Sequence, residues 1–191
     1  MDKQEMEKKQ YEDEIAMLAN NKIHIHLYSD SYYDHHDLFN RQAKKVAPRH
    51  FHVHRHSPQN EWVKEFSKYD AGWLHCFNSH NHGVIRDAGW DDLNIPARMY
   101  TLAAAGLPMI QKNNDGHIVA MQNRIKRDHA GIFYTDMKDL IEQLRNQALM
   151  SQIRNNVINR RLSFCFDNYV PALIDFFREI INHSKKCYDY N

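Results

Sequence analysis

Between residues 22 and about 150 the chain alternates short β-prone runs with helical ones, and this order constrains the fold more than any other feature. KIHIHLY at 22–28, HFHVHRH at 50–56 and DAGWLHCF at 70–77 read as strands. In the first, Ile23, Ile25 and Leu27 share one face, and His24 and His26 the other. Helical runs lie between the strands, at 35–46 and from Ser57–Pro58 onward, where Trp62, Phe66 and Tyr69 recur at steps of four and three. Parallel neighbours need a crossover long enough to hold a helix, so this order predicts an α/β fold, a parallel sheet with helices on both faces. Ligands in such sheets lie beyond the carboxyl ends of the strands. Those ends fall at 28–34, 56–58, 77–92 and 110–114.

The most informative single stretch is DDLNIPARMYTLAAAGLPMI, residues 91–110. It reads as a loop, a helix, a tight turn and a strand. Pro96 suits a first helical turn, where its missing N–H leaves nothing unpaired. Met99, Leu102, Ala103 and Leu107 give a buried stripe. Gly106 is placed to end the helix in a left-handed conformation. A polar loop feeding a helix start offers N–H groups to an anion. An ordinary helix–strand unit is the plain alternative.

The chain has 191 residues and a net charge of +1, with 42% hydrophobic and 12% aromatic residues. That suffices for a packed core and gives no basic field for nucleic acid. Cys76, Cys165 and Cys187 are odd in number and lack CxxC spacing, which points to a reducing cytosol rather than a disulfide framework. No apolar run reaches the ~20 residues of a membrane span. The charged start does not read as a secretory signal. A peripheral association at the inner face of a membrane stays compatible with this composition.

Three parts are expected: a helical extension over 1–21, a Rossmann-like domain over 22–162, and a C-terminal helix over 163–191 that packs back on the domain or on a missing N-terminal half. Tyr11, Ile15 and Leu18 give the first helix a thin apolar face, suited to a partner. The long loop at 78–92 is polar and carries Gly83 and Gly89, and loops of that length inside a compact domain are commonly functional. Short strands are expected at 117–121 and 131–134. Thr135–Asp136 reads as a helix cap. Another helix is expected at 151–161. The last helix carries Val170, Leu173, Ile174, Phe177 and Ile181 on one face.

Taken together, IHIHLY, HFHVHRHSP, SKYDAGWL, a loop, NIPARMYTLAAAGLPMI and FCFDNYVPALIDFF resemble the C-terminal half of a GT-B glycosyltransferase. The resemblance covers roughly residues 22–182. Residues 96–110 are similar to that family's P-x-K-x-x-E-x-x-A-x-G-x-P-V-I helix and strand. It implies a Rossmann-like half that binds a nucleotide-sugar donor for transfer to an acceptor hydroxyl, in polysaccharide or glycoconjugate assembly. It implies an N-terminal acceptor-binding half or a separate subunit as partner, and no metal or other cofactor. By position, Asn94 and Ile95 would offer backbone N–H groups to the donor diphosphate. Arg98 would sit near the phosphates or pair structurally. Ser57 and Pro58 would border the base, and Tyr28 and Ser29 would face the interdomain cleft. The chain departs from the family at Thr101, which stands where a glutamate holds the ribose hydroxyls. The motif's earlier glutamate falls on Leu93, beside Asp92. The alternative is a non-catalytic nucleotide- or partner-binding module of the same fold.

Fourteen histidines are many for this length. His50, His52, His54 and His56 alternate along one strand face, as do His24 and His26. Pairing of the two strands would bring these sets into metal-binding range, where neutral imidazole suits zinc, copper or nickel. A ladder without HExxH or Cys/His spacing favours a structural or surface role. His75, His80 and His82 border the long loop, where one histidine near the phosphates is compatible with the pattern. Asp87, Asp91 and Asp92 would steer a sugar hydroxyl or solvate the loop. Asp70 reads as a turn residue and Cys76 as inert.

Overall fold

The computed structural model describes residues 3–30 and 38–188. The helices are α1 (Lys3–Asn20), α2 (Leu38–Val46), α3 (Trp62–Phe66), α4 (Trp90–Leu93), α5 (Arg98–Ala104), α6 (Ala120–Asp128), α7 (Met137–Arg145), α8 (Gln147–Arg160) and α9 (Val170–Tyr188). The strands are β1 (Ile25–Tyr28), β2 (Phe51–His54), β3 (Gly72–His75), β4 (Met109–Lys112) and β5 (Gly131–Tyr134). Part of the polar turn expected at 29–34, and the start of the helix expected at 35, lie outside the described residues. No described helix is long and apolar enough to cross a membrane.

The α/β alternation is realised, and every strand pair is parallel. The one sheet expected is two: β1 pairs β2, and β3–β4–β5 form a second sheet. No ladder joins β1 to β3 among the described residues. Side chains bridge the sheets instead, with Ile25 packing in both hydrophobic clusters. The larger cluster holds Leu74, Met109, Ile125, Ile132, Leu140 and Val157. The smaller one seats Phe51 on Ala43 of α2, on Ala47 just after it, and on Ile15 and Ala19 of α1.

This packing revises the expectation for the first helix. Leu18 is buried in the larger cluster and Ile15 in the smaller. The thin apolar face of α1 is therefore used within this domain. By contrast, α9 packs mainly on the turn at Phe166–Tyr169, and Leu173, Ile174, Phe176, Phe177 and Ile181 are exposed.

Local signals explain most boundaries. Gly106 ends α5 at φ +71°, with Leu107 N–H donating to Leu102 C=O at 2.9 Å. Asp136 caps α7, accepting from the N–H groups of Lys138 and Asp139 at 2.8 and 2.9 Å. Asn146 caps α8, which thus starts earlier than the expected 151. The strand expected at 117–121 is absent. Ile118 N–H donates to Asn81 Oδ1 and its C=O accepts from Asn81 Nδ2, and α6 starts at Ala120. A backbone residue bonded to an asparagine amide has nothing left for a ladder.

Arg124 fixes the C-terminal segment. It donates to Asp128, to Ser163 C=O and to the Tyr169 hydroxyl, each at 2.8 Å, and lies 4.9 Å over the Phe164 ring.

Gly131 opens β5 where a side chain has no room. A Cβ there would stand 2.5 Å from Ile125 Cγ2 and 2.6 Å from the Met109 carbonyl oxygen. The carbonyl belongs to the neighbouring strand and cannot retreat without breaking the ladder. Gly131→Ala is expected to cost about 1–3 kcal/mol, read as a lower urea midpoint at unchanged slope.

Candidate functional site

The carboxyl edge of β3–β4–β5 carries a network of buried amides. The 78–92 loop leaves the end of β3, and residues 113–119 leave the end of β4. Two asparagines fasten the two segments together. Asn81, with no exposed surface, donates to Ile118 C=O at 2.9 Å and accepts from Ile118 N–H at 2.9 Å and Gly83 N–H at 3.0 Å. Asn114, also buried, accepts from Ser79 N–H at 2.7 Å and donates to Phe77 C=O at 3.2 Å. Gln122 of α6 accepts from Asn114 N–H at 2.8 Å. His82 N–H donates to His117 Nδ1 at 3.1 Å.

Asp92 belongs to this network rather than to solvent. Its carboxylate accepts from Gly89 N–H at 2.9 Å and closes the first turn of α4. Burial opposes its ionisation, but hydrogen bonds from Ser79, the Gly89 N–H and Asn81 outweigh that and hold its carboxyl below the usual range. Asp87 and Asp91 are exposed.

Asn94 N–H donates to Trp90 C=O at 2.9 Å and so closes α4. Ile95 is exposed next to it. Arg98 takes the structural option: its Nε donates to Leu74 C=O at 2.9 Å, and its Nη2 donates to the same oxygen. The β3–β4 register shifts between Trp73 and His75, which explains the need. An irregular residue leaves its carbonyl outside the ladder, and Arg98 satisfies it. Thr101 is half-buried in α5. Ser57 C=O accepts from Trp62 Nε1 at 2.7 Å, and Pro58 is exposed at the head of the following turn. Ser29 is buried, and its N–H donates to His54 C=O at 3.0 Å. The Tyr28 hydroxyl donates to Glu65 at 2.6 Å and lies 2.6 Å from the Tyr69 hydroxyl. Burial, and then those two hydrogen bonds, push the Tyr28 phenol up.

One side chain at this edge was missed in the sequence. Trp90 stands 81% exposed at the head of the fixed α4. A tryptophan following glycine in a long polar loop is the signal that marks it.

His75 is buried beside Gln111, with Nε2 3.1 Å from Gln111 Oε1. Burial depresses it to about 4, and nearby Arg98 acts in the same direction. Its Nδ1 and the Gln111 Nε2 have no hydrogen-bond partner among the described residues.

The second constellation is the histidine face of β1–β2. His26 pairs in register with His52, and Tyr28 with His54. His24 Nδ1 lies 2.9 Å from His52 Nε2, and His26 Nδ1 lies 2.8 Å from His54 Nε2. His26 is lowered to about 4 by burial and then by His52, His54 and His24. His52 is lowered for the same kind of reason. His56 instead turns to Asp30, and His80 is exposed. Comparison with protein families, curated proteins and solved structures finds no match for the chain.

Two outcomes follow from this geometry. Asn81→Ala removes the bonds to Ile118, Gly83 and Asp92 at a buried position and is expected to cost about 3 kcal/mol, with faster hydrogen exchange across the 78–92 loop. The second concerns pH. Well above pH 6.5 His75 is neutral in both the folded and the unfolded chain. Below it the unfolded chain binds a proton that the folded chain refuses until about pH 4, so stability falls as pH drops through this window and levels off beneath it. His26 acts with the same sign. The urea midpoint should therefore fall between pH 7 and pH 5, and His75→Leu should flatten part of that fall.

Proposed function

We propose that this chain is the nucleotide-sugar-binding half of a GT-B-type glycosyltransferase, with its ligand at the carboxyl edge of the strands. The supporting observation is the asparagine-fastened loop at 78–92. It is long and polar, yet its interior is fixed by buried amides, and it stands where parallel α/β sheets receive ligands. A loop that only connected two elements would not need that much order.

In this proposal the Ile95 backbone faces the donor diphosphate, while Asn94 shapes the loop through its bond to Trp90. Arg98 supports the site from beneath by fixing the end of β3. Thr101 meets the ribose, Ser57 and Pro58 border the base, and the Trp90 ring offers the base a flat apolar surface. Tyr28 and Ser29 line the side toward the acceptor. The reaction is attack of an acceptor hydroxyl on the anomeric carbon, with the nucleoside diphosphate leaving. The acceptor-binding half comes from elsewhere, and the exposed apolar residues of α9 suit such a partner.

A second reading has its own support. Arg98 is committed to Leu74, and Thr101 lacks the carboxylate that would grip a ribose. Both fit a module that binds a nucleotide or a partner without catalysing transfer.

Calorimetry of the full chain against UDP, GDP, ADP and their sugars tests both. One nucleotide should bind in preference to the others, and Thr101→Glu should tighten it about tenfold by restoring a charge-assisted bond. Trp90→Ala should weaken it. Absence of binding across the panel removes both nucleotide readings. Binding without transfer, when an acceptor half is supplied, selects the module.

A further inference from the structure

Along either strand by itself the histidines form a ladder. Pairing changes the count. The face of β1–β2 that packs on α1 and α2 is formed by Ile25, Leu27, Phe51 and Val53. The opposite face carries His24, His26 and Tyr28 from one strand and His50, His52 and His54 from the other. There the rings crowd. His26 stacks on His52 with centroids 4.5 Å apart and on His54 at 5.1 Å. His24 lies nearly parallel to His52 at 5.2 Å. One ring nitrogen from each of His24, His26 and His52 lies within 4.8 Å of the other two.

We propose that His24, His26 and His52 bind one divalent transition-metal ion, with zinc the best fit. The donor set is three imidazole nitrogens with no carboxylate or thiolate. It therefore disfavours magnesium and calcium, which take oxygen ligands, and suits the borderline metals. Three protein nitrogens leave one position of a tetrahedron open, a common zinc arrangement. Zinc–nitrogen bonds of about 2.0–2.1 Å set tetrahedral ligand atoms about 3.3 Å apart. His24 and His52 already stand 2.9 Å apart, and the remaining gaps stay within 4.8 Å, so side-chain rotation is enough to close on an ion.

The surroundings support the assignment. Two ligands come from one chain segment and one from its paired strand, so the backbone sets their spacing. His54, 2.8 Å from His26 Nδ1, supplies the outer partner that ligating histidines normally have. The Tyr69 ring covers His26 at 4.6 Å, while His24 is exposed and gives solvent access. His24 and His52 lie toward the amino-terminal ends of the strands, away from the proposed donor edge. The site thus stands or falls independently of the nucleotide reading. Its expected effect is to clamp β1 to β2, which among the described residues form a sheet of their own.

The full chain, purified without a histidine tag and stripped with chelator, is titrated with zinc chloride by calorimetry. One zinc per chain should bind, and the melting temperature should rise with zinc concentration. Cobalt(II) should give the strong visible bands of four-coordinate cobalt, which zinc then bleaches. His24→Gln and His52→Gln should each weaken zinc at least about tenfold, whereas His56→Gln and His80→Gln should leave it unchanged. Circular dichroism checks each fold, and exposed His24 decides the matter should His52→Gln fail to fold. Substoichiometric zinc, a His24→Gln variant that binds like the parent, or equal losses in the His56 and His80 variants would overturn the proposal.

Discussion

A side-chain amide can do the work of a strand, and the carboxyl edge of β3–β4–β5 depends on that substitution. Asn81 meets both backbone groups of Ile118 and so replaces a ladder residue across a gap of 37 positions. Asn114 does similar work for Ser79 and Phe77. Loops of this length lack the apolar area to order themselves. Here the buried amides supply order directly, because an unpaired amide in the interior costs far more than a paired one gains. The loop is therefore held to one shape without being packed as a core. That combination of a fixed backbone and a polar surface is what a binding edge requires.

The same rule, that buried polar groups must be paired, accounts for Arg98. A register shift in β3 leaves the Leu74 carbonyl outside the ladder, and the guanidinium takes it with two donors. The arginine thereby joins α5 to the end of β3. Its charge is not discharged by that bond, since a carbonyl is only a dipole. Arg98 remains a fixed cation at the base of the edge and lowers the proton affinity of His75. A structural bond and an electrostatic influence on a nearby anion are compatible in one side chain.

Much of the fold was legible because its signals are local. Gly106, Asp136 and the strand–helix alternation act within a few residues, and each produced the expected feature. What escaped was long-range. The division into two sheets, the Ile118–Asn81 bond and the Arg98–Leu74 bond join residues with no periodic relation in the chain. Ile118 and Val119 are β-prone by composition, yet tertiary pairing overrode that propensity. Helix α1 escaped for the opposite reason. Its apolar stripe is thin, but Ile15 and Leu18 reach two different clusters, so little area fixes its place. At the candidate site, the loop was visible as length and polarity, whereas the commitments of Asn94 and Arg98 required the backbone. The histidines were visible as a pattern on each strand, and only the parallel register brought three ring nitrogens together.

That register also explains why one strand pair serves two chemistries. Odd positions Ile25, Leu27, Phe51 and Val53 turn toward α1 and α2, and their burial fixes the pair against slipping. A shift by one residue would send every histidine into the apolar cluster. The apolar face therefore determines the imidazole face on the other side of the pair. With no ladder joining β1 or β2 to β3 among the described residues, the packing of Ile25 in both clusters becomes a mechanical link between the histidine face and the rest of the molecule. Interactions that hold His24, His26 and His52 together add to the same pairing, so imidazole chemistry and strand register reinforce one another.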